Sequence, residues 1–75
     1  MNLSERIRLI LKENHLKQKD LATELGVTES YISAILNGRN SNVSQALATL
    51  IEEKYGYSSS WIMDGAEPKL KVKGK

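Results

Sequence analysis

Apolar residues recur along this chain at helical spacing, in five separate stretches. In the first they fall at Leu3, Ile7, Ile10 and Leu11, one stripe with a period of about 3.6. Asn2 can cap that helix with Glu5 as its capping-box partner, and the pattern stops near Asn14. The second runs from Gln18 to Leu25, with Leu21, Ala22 and Leu25 inward. The third is capped by Thr28, turns Ile32, Ile35 and Leu36 inward, and stops at Asn37-Gly38. The fourth, capped by Asn42 or Ser41, is expected to bury Val43, Ala46, Leu47, Leu50 and Ile51 and to end before Gly56. Ser58 caps a short fifth helix ending at Gly65, with Tyr57 and Ile62 spaced as a hydrophobic staple. Pro68 closes the fold, and no stretch alternates as a strand does. The residues expected to be most buried are Leu21, Val27, Ile32, Ile35, Leu47, Leu50 and Trp61.

The second and third helices are each too short to hold alone, since isolated helices under about 12–15 residues are marginal. They must brace each other. Gly26 can close the second helix in the left-handed conformation, which has no Cβ penalty in glycine. The turn Gly26-Val27-Thr28 then sends the third off steeply, with Val27 pointing inward and the small Ala22 allowing close approach. That describes a helix-turn-helix whose second helix presents its N-terminus. Such a helix fits a DNA major groove about 12 Å wide.

The stretch "KQKDLATELGVTESYISAILNGR", residues 17–39, resembles the helix-turn-helix of the XRE family, the phage Cro and repressor type. The matching positions are Gln18, Leu21, Ala22, Leu25, Gly26, Val27, Thr28, Ile32, Ser33, Asn37, Gly38 and Arg39. Farther on, Tyr55, Gly56, Trp61 and Gly65 are similar to the close of phage repressor N-terminal domains. The chain departs from the pattern at Lys17, where the family has Thr, and at Gly65-Ala66-Glu67, where it has Gly-Glu-Gly. The resemblance implies a compact all-α domain of five helices, lambda-repressor-like; the lysine-rich close "KLKVKGK" sets the expected limit of the domain at 1–68, with a basic, flexible tail at 69–75. It implies a sequence-specific regulator of double-stranded DNA, of the phage or prophage repressor type, binding a palindromic operator as a homodimer.

The resemblance also assigns roles. Glu29, Ser30, Ser33 and Ala34 form the outward face of the third helix and are expected to meet bases. Gln18, Lys17, Lys19, Thr28, Tyr31, Asn37, Arg39 and Asn40 are expected near phosphates. Tyr31 is open between packing and phosphate contact, and Asn37 can also serve simply to end its helix. Trp61, Ile62 and Met63 are open between core and dimer contact. Trp61 leans to core, because a chain without phenylalanine needs bulk.

Composition narrows the alternatives. The chain has 75 residues, no cysteine and one histidine. Disulfides and thiolate metal sites are excluded. His15 alone cannot make a metal site of three or four ligands, and no nucleophile stands near a base, so an enzyme is not expected and no cofactor is implied. No apolar run approaches the roughly 20 residues of a membrane span, and "MNLSERIRLI" reads as no export signal, so a cytoplasmic setting is expected. The formal charge is +2, yet Lys69, Lys71, Lys73 and Lys75 supply four of the positives. Residues 1–68 hold seven Lys or Arg against nine Asp or Glu. DNA binding must therefore rest on placement rather than bulk charge. Two other classes share this fold: an antitoxin whose main partner is a toxin protein, and a protein-interaction module without DNA binding.

Overall fold

The structure is a computed structural model and describes residues 1–70. Five helices follow in order: α1 (Leu3–Glu13), α2 (Gln18–Leu25), α3 (Glu29–Leu36), α4 (Gln45–Tyr55) and α5 (Ser59–Asp64). The fold is all-α. α2 packs on α3, α4 on α5, and α1 touches both α3 and α5. One core joins them, with Ile7, Ile10, Leu21, Ile32, Ile35, Ile51 and Ile62 fully buried.

The first three helices begin and end as their sequence indicates. The Asn2 side chain accepts from the Glu5 N–H at 2.9 Å, and the Glu5 carboxylate accepts from the Asn2 N–H at 3.0 Å. Two orphan donors are thereby satisfied reciprocally. Lys17 has no acceptor to offer as a cap, but the Asp20 carboxylate accepts from its N–H at 3.0 Å. Gly26 sits at φ 71, ψ 28, the left-handed conformation expected of it.

The fourth helix starts later than its polar residues suggest. Ser44, not Asn42 or Ser41, is the cap, and its hydroxyl accepts from the Leu47 N–H at 3.1 Å. Asn42 instead has its N–H held by the Asn40 side chain at 3.2 Å, outside any helix. Val43 is buried from the preceding loop, and Ala48 rather than Ala46 faces the core. Leu50 and Val27 pack against the core but are only half-buried.

Ser58 occupies the cap position of α5 without using its side chain. The Glu52 carboxylate accepts the Ser59 N–H at 2.8 Å in its place. Tyr57 and Ile62 are both buried, and the Tyr57 ring stacks on Trp61 with centroids 5.8 Å apart. Lys69 and Leu70, read from sequence as the start of the tail, lie against the domain. The Ser58 N–H donates to the Lys69 carbonyl at 2.9 Å, and the Lys69 ammonium pairs with Glu13 at 2.7 Å. The remainder of the expected tail, 71–75, lies outside the described residues.

Candidate nucleic-acid interface

The start of α3 carries the residues of interest. Thr28 precedes it in extended conformation, and its hydroxyl accepts from the Tyr31 N–H at 3.1 Å. A helix leaves its first N–H groups without intrahelical partners. Here the cap takes one of them, and the N–H groups of Glu29 and Ser30 lie in front of it. Glu29 and Ser30 are exposed, while Ser33 and Ala34 on the next turn are half-exposed. All four stand on the side of α3 opposite Ile32, Ile35 and Leu36, which are buried.

The α2–α3 turn folds a second helix start onto this face. Gln18, the first residue of α2, joins Glu29, Ser30 and Ser33 in lining one shallow polar depression of about 240 Å³. Residues 11 and more positions apart in sequence thus meet at a single surface. The turn is fixed by the Val27 N–H, which donates to the Ala22 carbonyl at 3.0 Å. Lys17 and Lys19 flank Gln18 and are exposed. Neither takes part in the ion pairs seen among the described residues, Lys54 with Glu24 at 3.5 Å and Lys69 with Glu13 at 2.7 Å.

At the other end of α3, Asn37 and Arg39 are exposed and Asn40 is half-buried. The loop folds back on the helix: the N–H groups of Asn37, Gly38 and Asn40 donate to the carbonyls of Ser33, Ile35 and Ala34 at 2.9, 3.1 and 3.0 Å. Arg39 is thereby held just beyond the last turn, and it too makes no ion pair among the described residues. Tyr31 lies half-buried against the core and keeps part of its surface exposed. Trp61 and Ile62 are buried within their own chain and have little surface to give a partner; of that trio Met63 alone is half-exposed.

The sequence has relatives among known proteins. A helix-turn-helix family profile matches residues 7–62, three quarters of the chain. The chain belongs to the helix-turn-helix family, of the XRE kind. This helix-turn-helix domain is similar to Repressor protein CI of Enterobacteria phage phi80, at 34% identity over 64 residues. The similarity covers 85% of the chain and 26% of that repressor, so the chain spans about a quarter of its relative's length. No solved structure matches it. Among the described residues, no helix is long and apolar enough to cross a membrane, and no group of three or more His, Cys, Asp or Glu is placed to hold a metal ion.

Sequence reasoning about this helix-turn-helix missed two side chains on α1. The Ser4 hydroxyl and the Arg8 guanidinium both donate to the Leu36 carbonyl, each at 2.9 Å. Their only signal in sequence is the spacing of four, which puts them on one face of α1 beside the apolar stripe.

Proposed function

We propose that this domain binds double-stranded DNA sequence-specifically and acts as a transcriptional repressor in a bacterial cytoplasm. In this reading α3 enters the major groove N-terminus first. The observation that carries it is the shared surface of Gln18, Glu29, Ser30 and Ser33, where two helix starts converge on one exposed polar face. Helix N-termini offer backbone N–H groups and a positive dipole end to phosphate. This supplies attraction that a domain with more acids than bases in residues 1–68 lacks in bulk. Lys17 and Lys19 add two cations beside that face, and Arg39 adds a third beyond the far end of α3. The similarity to a phage repressor favours repression over the toxin-linked alternative.

One α3 reads only a few base pairs, so useful selectivity needs two copies on half-sites about 34 Å apart, one helical turn. Met63 and its surroundings are the part of α5 with surface left for such pairing. Selection of bound duplexes from a random pool tests the reading. The expected product is a two-fold symmetric sequence. A pool that stays random after repeated rounds contradicts it.

A further inference from the structure

The end of α3 poses an accounting question. A helix leaves its last four carbonyls without intrahelical donors. In α3 these belong to Ser33, Ala34, Ile35 and Leu36. The first three are satisfied locally, by the N–H groups of Asn37, Asn40 and Gly38. The Leu36 carbonyl is satisfied from outside, by Ser4 and Arg8. These are the hydrogen bonds that tie the trailing end of α3 to another helix. The apolar packing of the shared core, to which both α1 and α3 contribute, resists separation but permits sliding and rotation. A guanidinium and a hydroxyl converging on one oxygen fix a position and a direction. The cation also stands at the negative end of the α3 dipole, where it is favoured.

We infer that Ser4 and Arg8 are positioning residues for base reading: they set the angle at which α3 leaves the body, and so the depth at which Glu29, Ser30 and Ser33 reach. This rests on the DNA-binding reading above and adds a specificity device to it. Neither residue lies on the polar face formed by Gln18, Glu29, Ser30 and Ser33. Their effect passes through the helix, and it falls on discrimination between sequences. A misplacement of about 1 Å at a recognition surface is enough to lose well-made contacts.

Two measurements on Arg8→Met, Ser4→Ala and the double variant test the inference. The first is the ratio of affinities for a selected duplex and a scrambled one. The double variant should lose about tenfold in that ratio, the value of one charge-assisted hydrogen bond, while binding to the scrambled duplex stays within about twofold. Arg8→Lys, which can still donate to the carbonyl, should recover part of the loss. A uniform loss on both duplexes with a shallower salt dependence overturns the inference, because Arg8 is then a phosphate contact. An unchanged ratio overturns it as well. The second measurement needs no DNA. Amide exchange at Asn37, Gly38 and Asn40 should accelerate about tenfold in the double variant, with Ile10 and Ile51 unaffected. Unchanged exchange at those amides shows that α3 is not held by the clamp, whether or not the protein selects a DNA sequence. Failure of the wild-type chain to select any sequence sinks the DNA reading and leaves the exchange result to decide the clamp.

Discussion

Arg6, on the first turn of α1 and only 5% exposed, donates through Nε to the carbonyl of Ile62 at 3.0 Å. Its Nη2 reaches the Met63 carbonyl at 3.2 Å and its Nη1 the Met1 carbonyl. One buried cation thus caps the C-terminal end of α5 and anchors the N-terminus. Three carbonyls would lose their donor together in Arg6→Met. A loss of roughly 2–3 kcal/mol in urea unfolding is expected, because the buried Ile62 acceptor left unpaired costs more than its bond contributes, and the part-buried Met1 and Met63 carbonyls lose their charged donor with it. An unchanged midpoint would show that water replaces the guanidinium without penalty.

Gly26 and Gly65 separate two costs of adding a side chain. Gly26 has φ 71 and open space where a Cβ would go; Gly65 has φ 76 and a would-be Cβ only 3.1 Å from Arg6 Nη1. Gly26→Ala should cost about 1–2 kcal/mol through backbone strain alone, and Gly26→Val more, as β-branching adds to it. Gly65→Ala should cost more than Gly26→Ala, since the guanidinium must also give way. Thermal melts of the three variants check the order. Equal melting of Gly26→Val and wild type contradicts the left-handed turn.

Tyr57 makes stability fall at high pH. Its hydroxyl donates to the Glu13 carboxylate at 2.7 Å and accepts from the Asn14 amide at 2.9 Å. Burial first, and the Glu13 carboxylate second, push its pKa up to about 12 from an ordinary 10.0. Between those values the folded chain keeps a proton that the unfolded chain has released, so stability drops as pH rises through that window. Glu13 behaves in the opposite sense. The Lys69 ammonium first, and the Tyr57 hydroxyl second, hold its pKa below the ordinary 4.5. Its contribution is present above that value and is lost as pH falls through the lowered one. Urea midpoints measured across pH should decline at both ends, and Tyr57→Phe should soften the alkaline decline. An alkaline limb identical in Tyr57→Phe would place its cause elsewhere.

Glu29 and Arg39 are expected to divide the work of recognition. A carboxylate at the start of α3 is repelled by phosphate and favourable only where a base donates to it, chiefly cytosine N4 and more weakly adenine N6. Glu29→Gln should strengthen binding to random DNA and relax preference at one position per half-site by about 1–3 kcal/mol. Arg39→Ala should weaken all sequences alike and lower the salt slope by roughly 1 per subunit. Competition among operator variants distinguishes the two. Identical base preferences for Glu29→Gln and wild type would show that Glu29 reads nothing.

The sequence carries the helix-turn-helix almost completely, because its signals are local. Gly26 needs a positive φ, Thr28 offers an oxygen three residues from the Tyr31 N–H, and Ile32, Ile35 and Leu36 share a face. What was illegible depends on residues far apart. Nothing near Ser58 announces that Glu52 will cap its helix, and Arg6 reads as one more charge until α5 brings its carbonyls against it. The start of α4 misled for a related reason. Ser41, Asn42 and Ser44 are all competent caps, and the burial of Val43 from the loop selects the last of them. The site residues follow the same division. Those of α3 lie on one local pattern, whereas the meeting of Gln18 with them requires the folded turn.

The starts of α2 and α3 are proposed as the DNA surface. Titrating the isotope-labelled chain with a duplex enriched from the random pool, and following each backbone amide by NMR, tests it most directly. The largest shifts are expected at Gln18, Lys19, Glu29, Ser30 and Ser33, with a second group at Asn37–Asn40. Amides beside the Glu13–Tyr57–Lys69 cluster should stay still. Shifts concentrated at that cluster or along α4, with Glu29 and Ser30 unmoved, would contradict it.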